Sequence, residues 1–417
     1  MPRPLSHIRV LDLSRVLAGP WASQNLADLG AEVIKVERPG AGDDTRGWGP
    51  PWFKDKDGRD TSDSSYYLSC NRGKKSITLD ISKPEGQQIV RGLAAKCDVL
   101  IENYKVGTLA RYGLAYEQLR EVNPRLIYCS ITGFGQSGPY APRPGYDFVF
   151  QGMGGLMSIT GERDELPGGG PMKVGIAITD ILTGMYASLA ITAAIAHCER
   201  GGAGQYIDVA LLDSMVAFNA NQISGYLVAG NIPKRYGNAH PNVVPYQVFA
   251  CKDGHIILAV GNDSQFASFC KVSGRPELSE DERFRMMSGR IVNRDALIPL
   301  IAGIMKTRGM HEWIEVLESA NVPCGPINNM QQVFEDPQVQ HRGLKVEIPT
   351  PAGVPCPTVA SPMRFSETPV VYTVPPPALA STRRKSCMTC SAWTGRRWMS
   401  SRQRASSESG RPRPKMP

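Results

Sequence analysis

One carboxylate stands where a carboxylate is costly. Asp180 lies in the run Gly175-Ile-Ala-Ile-Thr-Asp180-Ile-Leu-Thr-Gly184, inside a stretch, residues 176–196, that is almost wholly apolar or small. A lone acid in such surroundings costs stability unless it is paired or used. Two uses fit. At a helix start it can accept backbone N–H bonds as a cap. The same N–H groups would keep it ionised, and an ionised, partly desolvated carboxylate can attack an acyl group and carry it covalently. The residue alone leaves both open. The stretch is long enough to cross a bilayer, but a membrane span would usually exclude the acid, so a buried core helix is expected.

Two other motifs invite a chemistry that their surroundings refuse. Gly133-Phe-Gly135-Gln-Ser-Gly138 has the spacing of a dinucleotide loop and follows an apolar strand. Such a loop must open a helix whose N-terminus meets the pyrophosphate. Here Pro139, Pro142 and Pro144 follow and forbid that helix. The glycines then read as a loop over a pocket. Cys387-Met-Thr-Cys390 has a metal or redox spacing, but no second pair lies near it. The other eight cysteines, from Cys70 to Cys356, show no pairing rhythm and read as reduced thiols of a cytoplasmic protein. No metal site is expected, and residues 1–7 lack the apolar run of a secretory signal.

The elements that must hold these residues alternate. Apolar strands are expected at 8–12, 31–37, 76–80, 98–102 and 125–131, with helices at 17–30 and 84–96. Strand and helix in alternation mean an α/β fold, a Rossmann-like doubly wound parallel sheet. Ligands on such a sheet sit beyond the carboxyl ends of its strands. From about residue 236 the texture changes to a hairpin around Lys252-Asp-Gly254 and helices near 263–273, 293–307 and 309–320, a smaller α+β domain. The expected organisation is a large domain over 1–200, a linker over 201–235, the small domain over 236–330, a return segment over 331–379 and an aberrant tail over 380–417.

The formal charge of +8 suggests nucleic acid until it is located. Ser381–Pro417 carries ten Lys or Arg and one acid, so the rest of the chain is almost neutral. A neutral body with a basic tail is not a nucleic-acid groove. Neither nucleic acid nor membrane is an expected partner.

Several runs resemble the class III CoA transferases, the formyl-CoA transferase or CaiB/BaiF family. They are Val10-Leu-Asp-Leu-Ser-Arg-Val-Leu-Ala-Gly-Pro20, Gly30-Ala-Glu-Val-Ile-Lys-Val-Glu-Arg-Pro39, Asn71-Arg-Gly-Lys-Lys-Ser-Ile-Thr-Leu-Asp80, Glu102-Asn-Tyr104, Arg111-Tyr-Gly113, Gly133–Pro139, Gly145-Tyr-Asp147 and Gly204-Gln-Tyr-Ile-Asp208. Together with the segment around Asp180 they span nearly the whole chain before the tail. The resemblance implies that Asp180 is the nucleophile and that CoA thioester enters as a substrate, with no tightly bound cofactor. It implies CoA contacts from Val16, Leu17, Ala18, Arg38, Leu79, Asp80, Asn103, Tyr104, Lys105 and Arg111. Gly133–Gly138 and Gly168–Gly170 are candidate oxyanion donors. It further implies a homodimer of interlocked rings.

Within the family, Val244-Pro-Tyr-Gln-Val-Phe249, Cys324-Gly-Pro-Ile-Asn-Asn-Met330 and Gly40-Ala-Gly-Asp-Asp-Thr-Arg46 look most like the succinyl-CoA:glutarate branch. Dicarboxylates are therefore the expected substrates, and Arg15 and Arg46 the expected cations for the far carboxylate. A racemase of the same fold is the alternative enzyme. It needs a His before the acid of Gly-His-Asp, and Tyr146 stands there instead; a phenol is a poor base at neutral pH. A third reading is a relative inactivated by its altered end. After Leu379 the residues Ala380-Ser-Thr-Arg-Arg-Lys can be encoded by codons that, one base out of phase, continue as a family-like ending, GEHTEEVLHDLLGLDG. A single-base deletion in the gene is the hypothesis, and resequencing that codon decides it.

Overall fold

The structure is a computed structural model and describes residues 2–381. Six strands form one wholly parallel sheet: Arg9–Asp12, Glu32–Glu37, Lys74–Thr78, Val99–Glu102, Ile127–Thr132 and Tyr206–Ala210. Counted along the chain within this sheet, their spatial order is third, second, first, fourth, fifth, sixth. The inner strands carry unbroken apolar runs such as Val99-Leu-Ile101 because both faces are covered. Helices Ala18–Asp28 and Ile178–Glu199 cover one face, with Ala22, Leu26, Ala187 and Ile191 in its core. Helix Pro84–Ala94 and the turns up to Leu119 cover the other.

One expected boundary is wrong. Residues 201–235 are not a linker: Tyr206–Ala210 is the sixth strand of the main sheet, paired with Ile127–Thr132. Helices Leu211–Phe218 and Ala220–Ala229 follow it. The small domain has its own core, with Phe266, Phe269, Leu297 and Trp313 packed on the three-stranded sheet of Tyr246–Cys251, Gly254–Ala259 and Cys324–Pro326. The Pro-rich return segment holds one more hairpin, Lys345–Ile348 with Cys356–Val359. The Cys387–Cys390 pair and the tail in which the frame change was placed lie outside the described residues.

Helix Ile178–Glu199 is the longest here, at 22 residues, and among the described residues it alone is long and apolar enough to cross a membrane. The expectation of a buried core helix is met on one face only. Ala187, Ile191 and Ala194 are in the core, whereas Met185, Tyr186 and Leu189 are exposed. It is seated by Gly184, where an added Cβ would stand 2.5 Å from the Ala18 carbonyl oxygen and 3.0 Å from Trp21 Cβ. That close approach sets the start of this helix beside the start of the first. Gly184→Ala should therefore force the two helices apart. A cost of about 1–3 kcal/mol in urea unfolding is expected, with a loss of turnover, since Asp180 lies one turn away. Unchanged stability and activity would contradict this packing role.

Candidate active site

The crevice at the switch point of the sheet, between the first and fourth strands, is where an open α/β sheet binds ligands. Its two lips are stitched together. The Arg15 N–H donates to Asn103 Oδ1 at 3.0 Å, and Asn103 Nδ2 donates to the Arg15 carbonyl at 2.7 Å. The chain leaves the first strand through Val16 at φ 72°. A left-handed β-branched residue is strained, so the surroundings must hold it; its N–H donates to Asp43 at 3.2 Å. Beneath the crevice lies a buried charge cluster. Asp12 meets Ser23 at 2.5 Å and Lys74 at 3.3 Å, and Lys35 meets Asp43 at 2.8 Å. Burial opposes ionisation of Asp12, but Lys74 and Lys35 outweigh it and hold the acid below its usual range. Burial brings Lys74 down to about 8.

Two adjoining clefts open over this cluster and share Arg15 and Tyr104. The first, about 260 Å³, is lined by Arg38, Leu79, Asp80 and Tyr112 among others. The second, about 420 Å³, is lined by Val16, Ala18, Trp48, Asn103, Lys105, Arg143, Tyr146 and Asp180. Val16, Arg38, Leu79, Asn103, Arg143 and Asp180, far apart in the sequence, thus line two clefts that share a wall, with Asp180 in the second. Two expected residues line neither. Leu17 is buried, its carbonyl accepting from the Trp21 N–H, and the exposed Arg111 reaches only Thr108, at 3.4 Å.

Asp180 is not the cap of its helix, which removes that reading of its role. The first-turn N–H groups of Thr179 and Asp180 donate to Asp147 Oδ1 at 2.7 and 3.4 Å. Gln151 Nε2 donates to Asp147 Oδ2 at 2.6 Å and fixes it in place. The Asp180 carboxylate has no hydrogen bond from any described residue and faces the cleft. The expectation that backbone N–H groups keep it charged therefore fails. Burial, then the negative Asp147, push Asp180 up to about 7. The acid is thus half-buried and without a partner among the described residues, and burial with a neighbouring acid holds on to its proton, a combination that is common at reactive groups.

Arg46 also departs from expectation. Its guanidinium is buried, donates to Glu37 at 2.8 Å, to the Tyr67 hydroxyl at 2.6 Å and to the Pro377 carbonyl at 2.9 Å, and pairs with Asp63. Arg46 is buried and lines neither cleft, so it is a structural tie between the second strand and the return segment. Arg15 does line the groove, but Asp44 holds it at 2.7 Å and Arg38 at 2.6 Å. Of the candidate oxyanion donors, Gly133 lines the cleft. Gly169 and Gly170 instead give their N–H groups to Leu166 and Glu162 in a local loop.

Four cleft or neighbouring residues were not singled out from sequence. Trp48 stands edge-on to Tyr66 at 5.1 Å, and burial, then the negative Asp180, raise the Tyr66 hydroxyl above its usual range. Asp147 and Arg143 are the others. The only sequence signal for Asp147 was the Gly145-Tyr-Asp147 run; Arg143 had none among its prolines.

The fold is an open, doubly wound parallel sheet with two clefts over its switch point, one of them lined by an unpartnered carboxylate. The chain belongs to CoA-transferase family III, whose family model matches residues 5–382. It is 50% identical over 376 residues to the succinate–glutarate CoA-transferase of Agrobacterium fabrum, covering 90% of this chain and 93% of that one. It is 46% identical to the succinyl-CoA:glutarate CoA-transferase of Homo sapiens, covering 90% of this chain and 84% of that one. Among solved structures, a CAIB/BAIF family protein from Brucella suis superposes with a TM-score of 0.82 at 47% identity, covering 94% of this chain and 100% of that one. A CoA thioester is accordingly a substrate of this enzyme.

Proposed function

We propose that this enzyme moves CoA from succinyl-CoA to glutarate or a similar diacid, with Asp180 as the covalent carrier. The observation that carries the reading is the unpartnered Asp180 carboxylate in a cleft that Val16, Ala18, Asn103, Tyr104 and Lys105, residues expected to hold CoA, also line. The names of relatives at 50% and 46% identity support the substrate pair.

The steps balance without metal or nucleotide. The Asp180 carboxylate attacks the thioester carbonyl carbon; a mixed anhydride forms, the C–S bond breaks and CoA leaves as thiolate. The thiolate attacks the aspartyl carbonyl, releasing succinate and leaving an aspartyl-CoA thioester. The acceptor carboxylate attacks that carbonyl, forming a second anhydride and again freeing the thiolate. The thiolate finally attacks the acceptor acyl carbon, giving the new acyl-CoA and restoring Asp180. An anhydride hydrolyses, so water must be kept out while it exists. In this reading Arg38 and Arg15 exchange Asp44 for the phosphate oxygens of CoA, a charge-assisted contact. Asn103, Tyr104 and Lys105 border the path of the arm to Asp180.

The nucleophile must be ionised, so the raised value at Asp180 has a signed consequence. In free enzyme kcat/KM should climb with pH and level off above about 7. Asp147→Asn keeps an oxygen to cap the helix but removes the second negative charge. Its acid limb should move to lower pH, measured as kcat/KM for succinyl-CoA from pH 5 to 9. A limb that stays put would separate Asp147 from the charge state of Asp180.

Two subunits interlocked through the exchange between large and small domains also belong to this proposal. The exposed apolar Met185, Tyr186, Leu189, Leu227 and Val228 on helices of the large domain are consistent with a covered face. A cytoplasmic location fits the eight free cysteines of the described residues.

A further inference from the structure

We propose that Arg143 receives the far carboxylate of the diacid while its near carboxyl group reacts at Asp180; the inference rests on the diacid reading above. A diacid in a cleft needs a cation whose charge is not already matched. Three cations line the cleft that holds Asp180: Arg15, Lys105 and Arg143. Arg15 is paired with Asp44 at 2.7 Å and, in the reading above, goes to a CoA phosphate when it leaves that partner. Lys105, on the turn after the fourth strand, also has no ion pair among the described residues, but its ammonium sits on a flexible stem and is a point charge, whereas a guanidinium offers a carboxylate two parallel N–H groups. The Arg143 guanidinium has no ion pair or hydrogen bond among the described residues.

Arg143 is nonetheless held. Its guanidinium lies over the Tyr140 ring at 4.4 Å and the Phe134 ring at 5.2 Å, and those rings meet edge-on at 5.5 Å. Aromatic contacts of this kind brace a guanidinium without using its N–H donors, which stay available for a carboxylate. The loop that carries it is pinned at both ends on one ring. An added Cβ at Gly133 or Gly145 would stand 2.7 or 2.3 Å from Phe150 Cζ, and Phe134 packs on Phe150 at 5.0 Å. Phe150 is fully buried on helix Asp147–Met153, the helix whose Asp147 caps and places the helix of Asp180. One short helix thus sets both ends of the acceptor site, the reacting carboxylate and the receiving cation. A phosphate of CoA offers the same oxyanion chemistry. Arg143 is absent from the cleft of Arg38 and Asp80 and present in that of Asp180, which favours the carboxylate.

The test compares Arg143→Ala and Arg143→Lys with the parent enzyme. Acceptors are glutarate and pentanoate, which match in length and differ in the far carboxylate, and free CoA binding is measured by calorimetry. For Arg143→Ala, kcat/KM for glutarate should fall about 10- to 100-fold while pentanoate changes less than about 3-fold. CoA affinity should hold, and Arg143→Lys should recover part of the glutarate rate. Equal losses on both acceptors, or weakened CoA binding, would overturn the assignment, the latter giving Arg143 to a phosphate. A parent enzyme that prefers pentanoate to glutarate removes the diacid reading itself, an outcome visible before any variant is made.

Discussion

Asp180→Asn should abolish CoA transfer and stabilise the protein at neutral pH in the same step. The loss in kcat is expected to reach about 10⁴-fold or more, since the amide cannot form the anhydride and nothing else in the cleft can replace a covalent carrier. The gain in stability follows from linkage. Asp180 takes its proton in the folded protein at about 7, above its unfolded value, so the fold is penalised as pH rises from the unfolded value to about 7 and stays penalised above it. Asn carries no such charge. The full shift corresponds to about 4 kcal/mol, and solvent at a half-buried acid should leave about 1–3 kcal/mol of it. Urea unfolding at pH 8 and at pH 4 measures this: the variant should be the more stable at pH 8, and the difference should shrink at pH 4. An inactive variant less stable than the parent at pH 8 would mean that Asp180 is a structural acid.

Arg46→Ala should be the most damaging single change to the fold. It leaves Glu37, 3% exposed, without the guanidinium that now holds it, and cuts the tie to the Pro377 carbonyl. Breaking a buried pair in this way costs about 3–5 kcal/mol. The sign with pH is fixed. Burial raises Glu37, but Arg46 outweighs it and holds the acid below its usual value. Glu37 therefore stabilises the parent above its unfolded pKa and loses that effect as pH falls through its lowered folded value. Without Arg46, burial dominates, so the cost of the variant should be largest near pH 7 and smaller near pH 4. Arg46→Lys should keep the KM for glutarate. A selective rise in that KM, with the fold intact, would return Arg46 to the substrate site.

The sheet was legible because strands covered on both faces must be largely apolar, as Val99–Ile101 is throughout and Ile127–Ile131 is apart from Ser130. Tyr206–Ala210 was not legible as a member of the sheet, because its alternating burial is that of an edge. The hairpin of Lys345–Ile348 and Cys356–Val359 hid among prolines. Asp180 stood out as an acid among apolar residues, but its state did not. Asp147, which caps the helix and raises Asp180, comes from 33 residues earlier in the chain. Arg46 misled for the same reason: its partners Glu37 and Asp63 come together only through the folded loop between them. An arginine's availability depends on what neutralises it, and sequence does not show that. Arg143, with no partner, looked no different from Arg46.

The most direct measurement is mass spectrometry of the digested enzyme after incubation with succinyl-CoA and trapping with hydroxylamine or borohydride. The account predicts a modified carboxyl at Asp180, dependent on succinyl-CoA and absent from Asp180→Asn. An enzyme that transfers CoA at full rate yet is modified elsewhere, or not at all, would contradict it.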